Sequence, residues 1–184
     1  SDGTLEAVYT APASQSELDD APTLDADGKH YRKRHPHFTA RFSRDAENDE
    51  LFSMEQGEYR VCVFAKKKKR ANAHGTLPSL RESTLVFKGV KEGTDYEYTV
   101  LDDGVKENII VKKPALGYTY AFLLRCEGLR ARLSEDAARV SFVDENETEI
   151  FYIPAPFMTD AAGVRSYLLS YALKEEDDGD YTFT

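Results

Sequence analysis

Short runs in which apolar and polar residues alternate recur along the chain from residue 38 onward. In Tyr59–Ala65 (YRVCVFA), the first residue and every second one after it are apolar or aromatic. Because successive side chains of a strand point to opposite faces, this pattern predicts a strand with one face turned to a core. Many such runs at a spacing of roughly 8–12 residues are typical of a sandwich or barrel. We therefore predict an all-β fold, an antiparallel β-sandwich-like domain with many short strands and little helix.

Turn residues separate the predicted strands. Two alternating runs flank Asp102-Asp103-Gly104, which predicts a hairpin whose three-residue turn places Gly104 in the left-handed conformation. The run Tyr118–Cys126 is predicted as a long strand, and Val164–Leu173 as a last long strand. Pro154-Ala155-Pro156 lies between them and prevents regular ladder pairing, because proline has no backbone N–H to donate.

Charge divides the chain into two parts. The net charge is −9, yet residues 1–28 hold seven acids and no Lys or Arg, so the remainder has 26 acids against 24 bases. The first stretch is rich in Ala, Ser, Thr, Pro and Asp, a composition that buries too little apolar surface to fold alone. We predict an acidic flexible linker or extended lead-in over residues 1–36 and a β-sandwich module over residues 37–184.

The nearly neutral body also bears on the choice of partner. A nucleic-acid-binding domain usually carries a strong basic excess, so we expect no nucleic-acid partner. The basic run Lys66–Arg70 is interpreted as a hairpin tip kept soluble by charge. No run of about 18 apolar residues is present, so we expect no membrane insertion.

The two cysteines, Cys62 and Cys126, both lie in predicted strands and outside any metal-ligand spacing. One interpretation is a pair of buried free thiols, which behave as small hydrophobic residues. The other is a disulfide between neighbouring strands, worth ~4 kcal/mol on the loop-entropy estimate. The pattern slightly favours free thiols and leaves the disulfide open.

Catalytic motifs such as GxSxG, GxxxxGK[ST], HExxH and GxGxxG do not occur in the sequence. Carboxylates cluster at 45–50 and 144–147; calcium binding is one interpretation, but solvated turns between strands are favoured. A glycoside hydrolase would need two acids across a cleft, and sequence spacing does not place them there. We therefore expect no enzyme activity, no cofactor, and no catalytic or metal-ligating residues.

Four segments are similar to a known family: HFTARFSRDAENDELFSMEQGEYRV from His37, TLVFKGVKEGTDYEY from Thr84, VKENIIVKKP from Val105 and IPAPFMTDAAGV from Ile153. Over roughly residues 29–184 the chain resembles the β-rich module that precedes RHS/YD repeats, or adjoins DNRLRE domains, in large secreted wall-associated proteins of Firmicutes. The matched positions, to which the resemblance gives roles in the fold, are Asp95, Tyr98, Lys106, Glu107, Asn108, Pro154, Pro156, Met158, Asp160 and Gly163.

This resemblance implies a function as well as a fold. It implies a non-catalytic structural or adhesive module of a secreted or cell-wall-associated surface protein, located outside the cell or in the cell wall. The alternative is a glycan- or calcium-binding module of the same protein. The expected partners are neighbouring domains of the same polypeptide and a cell-wall polymer or host glycan. Because the family continues past this point, we expect the sandwich to be short of its last strand.

Elementary stereochemistry suggests roles for some of these positions. Gly163 permits a tight turn, and the Asp160 carboxylate can cap that turn. Lys106 and Glu107 are adjacent in a predicted strand, so we expect them on opposite faces, each paired with a neighbouring charge or solvated.

Overall fold

The computed structural model describes residues 4–10, 23–44, 50–66, 79–81, 84–113 and 117–184, and these ranges contain strands, turns and loops. No helix within them has the length and hydrophobicity needed to cross a membrane. The strands are β1 Thr4–Thr10, β2 Thr23–Leu24, β3 His30–Arg34, β4 Thr39–Ser43, β5 Glu50–Gln56, β6 Tyr59–Ala65, β7 Ser79–Arg81, β8 Thr84–Lys91, β9 Thr94–Leu101, β10 Gly104–Val111, β11 Phe122–Glu127, β12 Arg130–Leu133, β13 Val140–Val143, β14 Glu149–Ile153, β15 Phe157–Thr159, β16 Arg165–Ser166, β17 Leu173–Glu175 and β18 Tyr181–Phe183.

The strands form two antiparallel sheets. The first sheet has the order β12-β13-β14-β1-β10-β9-β8-β7, with β15 and β16 attached beside β1. The second sheet has the order β17-β18-β11-β6-β5-β4-β3-β2. The alternating apolar residues of both sheets meet in one buried cluster. The predicted all-β, antiparallel sandwich-like fold is therefore confirmed.

Four aromatic rings, which we call the aromatic core, fill the space between the sheets. Phe42 and Phe52 come from the second sheet, and Phe87 and Tyr98 from the first. The ring centroids of Phe52 and Tyr98 lie 4.8 Å apart, and Phe87 meets Tyr98 edge-on at 5.8 Å. Such pairs each add roughly 0.5–1.5 kcal/mol beyond the area they bury, so this cluster is a main attachment between the sheets.

The amino-terminal part of the chain differs from the predicted linker. Strand β1 pairs with β10 along its whole length, from Thr4 opposite Ile110 to Thr10 opposite Gly104. Strand β3 pairs with β4, and the acids before it have partners there: Asp25 and Asp27 lie 2.7 and 3.4 Å from the Arg41 guanidinium. Within the described residues, the boundary expected at residue 37 therefore falls inside the sheets. The composition assigns Asp25 and Asp27 to a solvated tail, but in the structure they form ion pairs with Arg41 of the second sheet.

The hairpin predicted around residues 102–104 is present, with a different turn. Leu101 pairs directly with Gly104, so the turn consists of Asp102 and Asp103 alone. Gly104 is the first residue of β10 and does not adopt a positive φ. The left-handed conformation expected of it is therefore wrong, because the strands close one residue earlier than a three-residue turn allows.

Two predicted long strands are largely irregular. Strand β11 begins only at Phe122, and the predicted strand Val164–Leu173 is reduced to the two residues of β16 and the first residue of β17. A few backbone bonds replace a long ladder there: the Tyr171 N–H donates to the Ala137 carbonyl at 2.8 Å, and Ala172 exchanges two bonds with Thr184. The irregular stretch exposes large apolar side chains, and Leu168 is 95% exposed.

Candidate functional site

A cavity of about 340 Å³ opens between the two sheets. The first sheet contributes β10 and the start of β15, and the second contributes the start of β11 and the end of β18. Its lining residues are Glu107, Ile109, Tyr118, Thr119, Tyr120, Phe122, Pro156, Phe157, Leu168, Leu169, Ser170, Tyr171, Phe183 and Thr184. We call it the tyrosine cavity. Its volume lies at the lower end of the range of roughly 300–1,000 Å³ found for small-molecule sites.

Among the described lining residues, Glu107 is the one with a carboxylic side chain. It is 1% exposed, and Tyr98 donates a hydrogen bond from its hydroxyl to Oε1 at 2.5 Å. Burial raises the pKa of Glu107 to about 7, while the Tyr98 hydrogen bond opposes the rise. Loss of hydration disfavours the charged form of a buried acid. The carboxyl group is therefore shared between its neutral and ionised forms near pH 7.

Aromatic side chains form much of the wall. Tyr118 and Tyr120 lie in the irregular segment before β11, and Tyr171 lies in the one before β17. Tyr171 donates its hydroxyl to the Pro154 carbonyl at 2.9 Å and packs on Phe183, with ring centroids 4.8 Å apart. Burial, with a smaller contribution from the Glu107 charge, raises the pKa of Tyr171. The phenol therefore stays neutral across the physiological range.

Two exposed cations stand next to lining residues, and we call them the rim cations. The Lys91 ammonium lies 4.6 Å from the centroid of the Tyr120 ring and donates to the Thr119 carbonyl at 3.0 Å. The Arg165 guanidinium lies 4.8 Å from the centroid of the Phe157 ring. Cations over ring faces are held by the negative face of the π system. The arrangement thus combines an aromatic interior, one buried carboxyl group and two positive charges beside its walls.

Five of the matched positions lie on the β9–β10 hairpin. Asp95 accepts a hydrogen bond from the Gly89 N–H at 3.0 Å and pairs with the Lys112 ammonium at 2.5 Å. Tyr98 and Glu107 are fully buried, whereas Lys106 and Asn108 are half-buried. The structure thus separates Glu107 from Lys106, as expected for strand neighbours. It also gives Glu107 a place in a cavity, which was not expected.

The other five lie in the connection after β14. The Pro154 carbonyl accepts the Tyr171 hydroxyl, and Pro156 lines the tyrosine cavity. Met158 lies in β15 and packs against the core cluster. The prolines therefore place the start of β15 against the cavity wall.

The turn after β15 has the capping geometry expected of Asp160. Its Oδ1 accepts the N–H groups of Ala162 and Val164, each at 2.9 Å. Gly163 has a φ of 82°. Glycine adopts such a positive φ with little strain, because it has no Cβ atom. These bonds order the start of the exposed stretch that ends at the cavity.

The structure leaves Cys62 and Cys126 as free cysteines. Cys62 pairs with Arg125 and Cys126 pairs with Val61 across β6 and β11, so the two side chains point to opposite faces of the second sheet. The disulfide left open by the sequence is therefore not formed. Burial raises the pKa of the Cys62 thiol to about 11 and that of Cys126 to about 12, which keeps both thiols protonated and unreactive.

The acidic turn at 144–147 satisfies its own backbone. Asp144 Oδ1 accepts the N–H groups of Asn146 and Thr148 at 2.9 Å each, and Tyr59 donates to Oδ2 at 3.3 Å. Among the described residues, no group of three or more His, Cys, Asp or Glu side chains is placed to hold a metal. Residues 45–49 of the other acidic cluster, and residues 67–70 of the basic run, lie outside the described ranges.

Sequence reasoning missed the cavity. Tyr118, Tyr120 and Tyr171 were assigned to strands, and neither Lys91 nor Arg165 was singled out. Gly117 directly before the tyrosine pair was the available signal that this stretch could leave the ladder. Alternation alone does not distinguish a strand from an extended wall segment.

No known protein family and no solved structure matches the chain. Three curated proteins are similar to it: "tRNA nuclease WapA" of Bacillus subtilis, "tRNA(Glu)-specific nuclease WapA" of Bacillus subtilis subsp. natto and "tRNA3(Ser)-specific nuclease WapA" of Bacillus spizizenii. Each is 22% identical over 191 residues, and each match covers 95% of this chain. The chain spans 8% of the length of each of these relatives.

These names overturn three expectations from the sequence. The chain was expected to be a non-catalytic structural or adhesive module, not to be an enzyme, and to have no nucleic-acid partner. The similar proteins are named as nucleases, and their names specify tRNA. The expectations relied on the family resemblance, on absent motifs and on the net charge of the whole body, and none of these reports a local site.

Proposed function

We propose that this chain is a segment of a longer tRNA nuclease and that its tyrosine cavity is the part of the segment that contacts the RNA. The observation that carries the proposal is the similarity to three proteins named as tRNA nucleases, which extends over 95% of the chain. Because the chain spans only 8% of their length, its role is one contribution to a larger nuclease.

The names of the relatives indicate which contribution this is. One name specifies tRNA(Glu) and another tRNA3(Ser), yet both proteins match the chain with the same identity over the same length. The same segment is therefore present in proteins whose names specify different tRNAs. This supports a step common to every substrate, which is contact with a feature that all tRNAs share.

The side chains of the tyrosine cavity suit RNA binding, although the net charge of the chain is negative. Unpaired RNA bases are recognised by stacking on aromatic side chains and by hydrogen bonds to their edges. The tyrosine cavity offers rings and a buried carboxyl group, and Lys91 and Arg165 offer positive charge for phosphates. A local arrangement of this kind needs no basic excess over the whole domain.

Binding and cleavage of a mixed tRNA preparation by the purified chain test the proposal. We expect the chain to bind tRNA of different identities with similar affinity. With two phosphate contacts on a single strand, the slope of log K against log salt should be about −1.4. Any cleavage, seen on a denaturing gel, should be reduced in a Tyr120→Ala variant and unchanged in Arg132→Ala, which alters an exposed cation on β12.

Two results would contradict the proposal. One is the absence of both binding and cleavage with a folded chain. The other is binding that heparin, a polyanion without bases, matches in affinity, since this would reveal charge attraction alone.

A further inference from the structure

We propose that the tyrosine cavity binds one unpaired nucleobase that carries an exocyclic amino group, with the tyrosine rings stacked on the base, Glu107 bonded to its amino edge and the rim cations on the flanking phosphates. The inference rests on the proposed function, because that function names RNA as the source of the base. It goes further in naming the group that the cavity holds.

The walls favour a flat aromatic ligand. Tyr118, Tyr120 and Tyr171 bring three rings to one cavity, and Phe122 and Phe183 are among its other apolar lining residues. Base-on-ring stacking tolerates any base because each has a π face, and loss of one ring typically weakens binding by about tenfold to a hundredfold. The volume of about 340 Å³ is that of a small-molecule site.

Glu107 supplies the polar contact. Tyr98 occupies its Oε1, and no hydrogen bond from a described residue reaches Oε2. A carboxylate accepts N–H bonds, and a neutral carboxyl group both donates and accepts. Cytosine, adenine and guanine present an amino N–H on their pairing edge, as in the contact of Glu with cytosine N4. Uracil has no amino group, so it leaves part of this capacity unused.

The distribution of positive charge argues against two other classes of ligand, small anions and small cations. The described lining contains no Lys or Arg side chain, so a bare anion would meet a buried acid without a counter-charge. A small ammonium or guanidinium ion would suit the aromatic walls and the carboxylate. Lys91 and Arg165, which lie over the rings of the lining residues Tyr120 and Phe157, would however repel it. A nucleotide meets both requirements, because its neutral base can occupy the cavity while its negative phosphate contacts the rim cations.

An apolar ligand is also disfavoured. A buried carboxyl group that loses contact with water needs a replacement hydrogen bond, and an apolar ligand offers none. The exposed side chains of Val164, Tyr167 and Leu168 lie on the adjoining stretch, and they provide a surface for the neighbouring nucleotides of a strand rather than a second cavity.

Titration of the folded chain with CMP and with UMP, followed by amide NMR, tests the proposal. We expect CMP to bind about tenfold more tightly than UMP, with shift changes concentrated at residues 117–122 and 168–171. In Glu107→Gln the amide side chain can pair with either base, so the two affinities should become equal. Glu97 pairs with Asn108 and therefore lies on the opposite face of the sheet from Glu107. Glu97→Gln is the matched control and should keep the tenfold preference.

The rim cations have their own test. Lys91→Ala and Arg165→Ala should weaken CMP severalfold and leave the affinity for cytidine, which lacks the phosphate, unchanged. Arg132→Ala should alter neither affinity. If Glu107→Gln does not fold, Tyr171→Phe serves in its place, because it keeps the ring and should retain CMP binding, whereas Tyr171→Ala should lose it by about tenfold or more.

The outcomes separate this inference from the proposed function. Equal CMP and UMP affinities in the unaltered chain, shifts away from the cavity, or preference for guanidinium over CMP would overturn the nucleobase site. If tRNA still bound in those cases, the proposed function would stand. If CMP bound in the cavity while tRNA was neither bound nor cleaved, the nucleobase site would stand and the proposed function would fall.

Discussion

The aromatic core and the tyrosine cavity are built from the same kinds of side chain, yet one is filled and the other is open. The space beside Phe52 in the core has a volume of about 10 Å³, against about 340 Å³ for the tyrosine cavity. Tyr98 connects the two regions, because its ring packs on Phe52 and its hydroxyl donates to Glu107 in the cavity lining.

The backbone explains the difference. The rings of the aromatic core stand on paired strands of both sheets, whose side chains interdigitate between the layers. Tyr118, Tyr120 and Tyr171 stand on segments that lie outside the strands. Aromatic composition therefore does not decide whether an interior closes. Regular pairing fills the sandwich, and its loss near residues 117–121 and 167–172 leaves space for a ligand.

Truncation of a core ring should have the largest effect on stability. Phe52→Ala should lower the free energy of unfolding by about 3–5 kcal/mol, because it leaves a cavity in a closed interior. Tyr120→Ala, in the wall of an existing cavity, should cost roughly 1 kcal/mol. Chemical denaturation of both variants measures the contrast, and equal losses would mean that the two regions do not differ in packing.

The free energy of unfolding should depend on pH because of the raised pKa of Glu107. Its pKa is about 7 in the folded chain against 4.5 without burial, so between these values the unfolded chain has lost a proton that the folded chain keeps. Stability should therefore fall as pH rises from 4.5 to 7, by about 3 kcal/mol in all, and level off above. Tyr98 donates a hydrogen bond to Glu107. Burial raises the pKa of Tyr96 and of Tyr171, so both phenols stay neutral in this window.

Glu107→Gln isolates this term, because Gln does not titrate. The difference in unfolding free energy between the variant and the unaltered chain should change with pH in that window, in favour of the variant as pH rises. Two parallel stability curves would show that Glu107 is hydrated in the folded chain. Glu97→Gln is the control and should leave the curve unchanged.

Removal of the turn cap should have a smaller and more local effect. Asp160→Ala frees the N–H groups of Ala162 and Val164, which should cost about 1 kcal/mol and speed amide hydrogen exchange at both residues. Asp144→Ala should cost more, because this buried carboxylate accepts two N–H groups and the Tyr59 hydroxyl. The reverse order would show that the stretch beside the cavity is the better ordered of the two.

The cysteines should show the smallest effect. Because burial raises both thiol pKa values, alkylation by iodoacetamide at pH 8 should leave the folded chain unmodified, while two groups should add after denaturation. Intact mass measures both states. A mass two units lower without reductant would reveal a disulfide and contradict the register of β6 and β11.

Local alternation predicted the fold but not the site. Tyr59–Ala65 was found with its observed bounds, and the hairpin of β9 and β10 was found with a turn one residue too long. The side chain of Glu107 was assigned to the correct side of its strand relative to Lys106. Its burial could not be predicted, because it depends on β11, β15 and the segment before β17, which meet it only in three dimensions.

Two other features of the sequence were interpreted too simply. Asp25 and Asp27 were counted as tail acids, and only the paired strands show that Arg41 is their partner. The resemblance to modules that precede RHS/YD repeats or adjoin DNRLRE domains stays a prediction. The extracellular or cell-wall location and the missing last strand, which rest on that resemblance, stay predictions too.

Mapping a short single-stranded tRNA fragment onto the chain by amide NMR tests the central claim most directly. If RNA binds at the tyrosine cavity, the chemical-shift changes should concentrate at residues 117–122 and 168–171 and at Lys91 and Arg165. The strands that carry the aromatic core should stay unchanged. Shifts confined to the far edge of the first sheet, at β12 and β13, would contradict the assignment of the tyrosine cavity as the RNA site.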